Sequence, residues 1–75
     1  MCEEIFEKYP TLELILLGGV ISKKMCRSIL NIDRWLMDDL YTELLLKEAI
    51  VGVANSSFKA SEPMVQFLRK KRGYE

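Results

Sequence analysis

The fold is decided by residues 22–53, which read SKKMCRSILNIDRWLMDDLYTELLLKEAIVGV. Ser22 is a favoured helix N-cap residue, and the apolar spacing after it predicts a helix over 23–30. A tight turn ends this helix, and Asp33 at the end of the turn is well placed to cap a longer helix over 34–48. The stretch therefore predicts two consecutive helices joined by a short turn.

The flanking sequence adds a hairpin and two further helices. β-branched residues and turn chemistry over 50–60 predict a two-stranded hairpin, and a serine followed by Pro63 predicts a last helix over 62–72. Upstream, Pro10 restarts the chain into a short helix that Gly18 stops. The predicted order is α-α-α-β-β-α, a mainly helical chain with a small β-hairpin, forming a single domain over residues 1–75.

The two central helices are also expected to supply much of the core. On the helix over 34–48, an arc of about 180° is apolar and is predicted to face inward. It contains Leu36, Met37, Leu40, Tyr41, Leu44 and Leu45. The apolar positions of the preceding helix are Met25, Cys26, Ile29 and Leu30, with Cys26 expected to be a buried, inert thiol.

This order of elements resembles the winged helix-turn-helix superfamily over about residues 11–72. In that superfamily the third helix usually enters the DNA major groove and the hairpin wing touches the DNA backbone. The resemblance implies a winged-helix-like fold and a transcription or replication regulator. The small size and the lack of an enzyme motif are similar to regulators carried by phages and mobile elements, for which a host or phage protein is a further possible partner.

Charge and composition narrow the function. The 75 residues carry 11 Lys and Arg against 11 Asp and Glu, so the formal net charge is zero. Attraction to nucleic acid or an acidic membrane through bulk charge alone is therefore excluded. Near-zero charge and a chain near the lower size limit for a stable core favour self-association, and we expect a homo-oligomer.

Catalytic chemistry finds no support in the sequence. The chain has no histidine and two cysteines, so histidine-based catalysis and a four-ligand zinc site are excluded. Neighbouring carboxylates such as Asp38 and Asp39 diverge by about 100° on a helix and do not converge as acid and base. We expect no enzyme activity, metal, cofactor or small-molecule substrate. An acidic start and an apolar stretch of only eight residues, 14–21, predict a cytoplasmic protein without a membrane interaction.

The outward side of the third predicted helix favours protein binding. Its candidate residues are Trp35, Asp38, Asp39, Thr42 and Leu46. A base-reading helix presents cations or amides, whereas this side presents carboxylates that phosphates repel, together with a large aromatic residue. We therefore predict protein–protein interaction and self-association through this side. One alternative stays open at this point: Trp35 could fold back on the N-terminal residues 5–9 and complete the core.

DNA binding is the alternative function, and it depends on the basic residues. These are Lys23, Lys24, Arg27, Lys59, Arg69, Lys70, Lys71 and Arg72. In a winged helix such positions can contact phosphates without reading sequence, and a dimer would supply a second half-site. Two other interpretations remain: a solubilising surface, or pairing of the terminal run 69–72 with the acidic helix of a second copy.

Overall fold

A computed structural model describes residues 2–74 of the chain. The elements follow in the order α1 (Glu3–Lys8), α2 (Thr11–Leu17), β1 (Ile21–Ser22), α3 (Lys23–Leu30), α4 (Arg34–Leu46), β2 (Ile50–Val53), β3 (Ser57–Ala60) and α5 (Glu62–Lys71). The predicted class, mainly helical with a small antiparallel hairpin, is confirmed, but the predicted order α-α-α-β-β-α lacked helix α1 and strand β1. The run from α2 to β3 is compatible with a winged-helix-like fold.

The three strands form one antiparallel sheet in the order β1-β3-β2. Ile21 of β1 lies opposite Phe58, and Ile50 of β2 lies opposite Ala60. The sequence did not predict β1, because two residues are too short to show strand periodicity. It exists because the free edge of β3 pairs with the chain just before α3, which ties that helix to the hairpin.

Serine and aspartate caps start the last three helices where the sequence placed them. The Ser22 hydroxyl accepts from the backbone N–H of Met25 at 3.0 Å, and the Asp33 carboxylate accepts from that of Leu36 at 2.8 Å. Ser61 caps α5 and also donates from its hydroxyl to the Glu48 carbonyl at 2.8 Å. Each cap satisfies a backbone donor that the helix itself leaves free.

Helix α4 ends earlier than predicted, at Leu46 rather than residue 48. Glu48 adopts the left-handed conformation with φ 57°, which stops a right-handed helix. The Ala49 amide then donates to the Leu44 carbonyl at 2.9 Å, so the turn satisfies the last carbonyls and directs the chain into β2.

The core lies between the helices and the inner face of the sheet. Among the described residues, its largest fully buried side chains are Phe58, Leu12, Leu16, Met37, Leu44, Met64, Leu68 and Cys26. The Tyr41 ring meets Phe58 edge-on, with centroids 5.5 Å apart. The central strand β3 thus supplies the aromatic centre against which α4 packs.

Four positions predicted as core are instead substantially exposed: Met25, Ile29, Leu36 and Leu45. The prediction was wrong because it assigned a whole apolar arc to the core. Helix α4 packs against α3 and β2, which lie along one side of it, so only the centre of its arc is covered. The same holds for α3, where Cys26 is buried and Met25 and Ile29 are not.

Candidate functional site

The outward side of α4 carries the most exposed large apolar side chains of the described chain. Trp35 is 72% exposed and Leu46 is 80% exposed. Eleven residues separate them, three helical turns, so both lie along one line of the helix about 16 Å apart. We call the surface formed by Trp35, Asp38, Asp39, Thr42 and Leu46 the α4 face.

The interpretation of Trp35 as a core residue is wrong. The α1 residues that were its expected neighbours, Ile5 and Phe6, are buried without it. Leu36 and Leu40 approach α1 instead, because they lie on the side of α4 that faces α1. Trp35 points outward, where the Arg34 guanidinium lies 5.5 Å from its ring.

A groove of about 300 Å³ between α1 and α4 extends the α4 face. Its lining residues are Glu4, Ile5, Lys8, Tyr9, Leu36, Asp39, Leu40 and Glu43. Three carboxylates against a single lysine make the groove acidic, and its floor is apolar. This groove could not be predicted from the sequence, because α1 and α4 are distant in the chain and come together only through the core.

A basic cleft lies on the flank of α4 that faces away from the α1–α4 groove, where α3, α4 and the hairpin turn meet. The volume of this cleft is about 340 Å³, and its lining residues are Lys23, Lys24, Arg27, Arg34, Met37, Asp38 and Ser56. The structure thus gathers three of the predicted basic residues and adds Arg34. Lys23 is already engaged, because its Nζ lies 3.5 Å from the Asp38 carboxylate and 4.3 Å from the centre of the Tyr41 ring.

The other basic residues do not join this cleft. Lys59 lies beside Leu16 and Pro63 in a separate groove formed with α2 and α5. Lys71 and Arg72 both bind Glu13 of α2, with Nζ at 2.6 Å and Nη1 at 2.9 Å from the carboxylate oxygens. The predicted DNA-binding residues are therefore spread over three places on the molecule.

Glu13 is a nearly buried carboxylate whose pairing the sequence did not predict. The hydrogen bond from Lys71 lowers the pKa of Glu13 below its usual value, and Arg72 adds to the effect while burial opposes it. Lys71 also lies 5.4 Å from the centre of the Phe6 ring. The end of α5 is therefore held against α1 and α2, which leaves Arg69 and Lys70 as the outward cations of the terminal run.

Three further observations concern metal ligands, the buried thiol and membrane-spanning helices. Between residues 2 and 74 no group of three or more His, Cys, Asp or Glu side chains could hold a metal ion. Burial raises the pKa of the Cys26 thiol to about 11, so it is a weak nucleophile. In the same part of the chain no helix is long and apolar enough to cross a membrane.

Comparison of the chain with protein-family models, curated proteins and solved structures found no match.

Proposed function

We propose that this chain is a non-catalytic, cytoplasmic regulatory module that acts by binding another protein on the α4 face. The observation that carries the proposal is the exposure of Trp35 and Leu46 on one line of the helix. Tryptophan is the residue type most enriched among binding hot spots, and apolar groups rimmed by charge are typical of interaction sites.

The charge of this surface favours a protein over DNA as its partner. Asp38, Asp39 and the neighbouring Glu43 are exposed on the helix that would enter the major groove of a winged-helix complex. Phosphates would repel these carboxylates, whereas a basic protein segment would pair with them. The adjoining α1–α4 groove adds an acidic rim and an apolar floor, which also suit a basic protein segment.

The test compares a variant of the anchor with a matched surface control. Trp35→Ala should stay folded, since an exposed side chain contributes at most about 0.5 kcal/mol to folding. It should lose partner binding by at least about tenfold, because hot-spot truncation costs more than about 1.4 kcal/mol. Val53→Ala, an exposed aliphatic residue on the hairpin, should bind as the unsubstituted chain does.

The measurement is affinity capture with the immobilised chain, followed by titration of the captured protein against each variant. Trp35 is the chain's one tryptophan, so its emission should shift to shorter wavelength when a partner covers it. Capture that survives Trp35→Ala unchanged, with no emission shift, would refute binding through the α4 face.

A second candidate function, DNA binding, is favoured by the basic cleft alone. Lys23, Lys24, Arg27 and Arg34 meet beside Ser56 of the hairpin turn, where a winged helix would lie against the DNA backbone. On this hypothesis Asp38→Asn should strengthen binding, because it removes a repelling charge and releases Lys23. Electrophoretic mobility shifts at low and moderate salt test it: sequence-dependent binding that survives moderate salt and tightens in Asp38→Asn supports DNA as the ligand.

A further inference from the structure

One side of the molecule presents an uncharged aliphatic surface. From Thr11 to Ser22, a stretch described throughout, the sequence TLELILLGGVIS contains one charged residue, Glu13, which is buried beside α5. Four aliphatic side chains project from this side, each between 48% and 58% exposed: Leu14 on α2, Val20 between α2 and β1, and Met25 and Ile29 on α3. We call these four residues the aliphatic patch.

The patch borders a shallow apolar groove whose lining contains no charged residue between positions 2 and 74. The groove has a volume of about 330 Å³ and is lined by Thr11, Leu14, Ile15, Gly18, Val20, Ile21 and Ile29. Soluble surfaces normally intersperse charged residues of both signs, so an extended uncharged side is unusual on a chain that is 29% charged. The charged residues of the α4 face, of the basic cleft and of the end of α5 do not line this groove.

Helix α3 shows that the fold leaves an amphipathic helix half covered. Cys26 is fully buried and Leu30 is half-buried, but Met25 and Ile29 on the same apolar side find no cover among the described residues. They are four residues apart and form one ridge. The cations of α3 lie at least about 100° around the helix from this ridge, so they do not intrude on the patch.

We propose that a second copy of this chain covers the aliphatic patch, so that two α3 ridges and two α2 helices meet across a two-fold axis. A two-fold interface brings each surface against itself. At the α4 face this would bring two acidic surfaces together, each carrying the exposed carboxylates of Asp38, Asp39 and Glu43, and like charges brought together oppose association. The aliphatic patch is free of this penalty because it has no charge.

The zero net charge of the chain also permits two copies to approach closely. Four aliphatic side chains, each about half exposed, are far fewer than the roughly 20–30 residues a side of a standard interface, so we expect a weak dimer. We therefore expect a dimer that forms in the micromolar range. Self-association at the patch leaves the α4 face of both copies open to the proposed protein partner.

Sedimentation equilibrium over a dilution series tests the proposal. The mass should rise above the 8.7 kDa of one chain toward twice that value. Ile29→Lys and Leu14→Lys, tested separately, each place a charge in the patch at a half-exposed position that tolerates it. Each should weaken dimerisation at least tenfold. The helical circular dichroism signal should be retained, which shows that each variant is folded. Val53→Lys and Leu46→Lys are the matched controls outside the patch, and both should dimerise as before.

Trp35 provides a readout that needs no variant. If the patch is the dimer surface, the tryptophan emission should be the same in dilute and concentrated samples, because Trp35 stays exposed. A single-chain mass at every concentration would overturn the proposal, as would dimers that persist in folded Ile29→Lys and Leu14→Lys. An emission shift that follows dimerisation, or loss of the dimer in Leu46→Lys, would place self-association on the α4 face and also overturn it. Loss of partner binding in Leu46→Lys with the dimer intact separates this inference from the proposed function.

Discussion

Replacing Glu13 by glutamine removes the charge on which Lys71 and Arg72 converge. In the native chain two short charge-assisted hydrogen bonds, of 2.6 and 2.9 Å, join this nearly buried carboxylate to the end of α5. A hydrogen bond to a charged group contributes about 1.5–3 kcal/mol when shielded from solvent. Here the Lys71 and Arg72 side chains are 43% and 35% exposed, which weakens both bonds. Glutamine keeps one acceptor oxygen, so we expect Glu13→Gln to lower the free energy of unfolding by about 1–2 kcal/mol.

The pH dependence provides an independent signature of the same contact. The pKa of Glu13 is lower in the folded chain than its usual value of 4.5. The unfolded state therefore takes up a proton first as the pH falls. The contribution of Glu13 to stability is complete above the unfolded pKa and is lost as the pH falls through the lower, folded pKa. The difference in stability between the native chain and Glu13→Gln should shrink over that acidic range.

Urea denaturation followed by circular dichroism measures both effects. For a domain this small the slope is about 1 kcal/mol per molar urea, so Glu13→Gln should unfold about 1–2 M earlier near neutral pH. Glu7→Gln, at an exposed position of α1, is the matched control and should leave the midpoint within error. An unchanged midpoint for Glu13→Gln, or a difference from the native chain that persists at the acid end, would refute a stabilising role for this contact.

Two further predictions concern the core. Phe58→Ala should destabilise the chain by about 3–5 kcal/mol, because this fully buried ring is the centre of the core. A domain of this size should then be largely unfolded, as measured by circular dichroism. The control Val53→Ala should stay folded, because Val53 is exposed. In a Cys2→Ser background, the Cys26 thiol should not react with a disulfide reagent at neutral pH until urea unfolds the chain. The cause is its burial, which also raises its pKa. Rapid modification under native conditions would contradict this burial.

Local signals in the sequence were sufficient for the order and starts of most elements. Ser22, Asp33 and Ser61 cap the helices for which they were proposed, because capping depends on a hydrogen bond between residues three apart. Turn-forming residues at Asn55 and Ser56 likewise predicted the hairpin. Both adopt left-handed conformations, which asparagine tolerates better than most residue types.

Features that depend on distant partners escaped prediction. Which side of an apolar arc is covered depends on the placement of other elements, so Met25 and Ile29 were assigned to a core that does not reach them. The pairing of Glu13 with Lys71 joins residues 58 positions apart, and no periodicity reports such a contact. Of the candidate sites, the sequence identified the side of α4 on which Trp35 and Leu46 are exposed, but it could not show that α1 adds an acidic groove beside it.

The long span of the contact between Glu13 and the end of α5 has a consequence for the order of folding. The central stretch from Ser22 to Val53 joins neighbours in the chain, so its helices can form before distant residues meet. The Glu13–Lys71 contact closes a loop of nearly the whole chain, and the entropy of closing a loop grows with its length. We therefore expect this contact to form late in folding, so that Glu13→Gln should accelerate unfolding while the folding rate changes little.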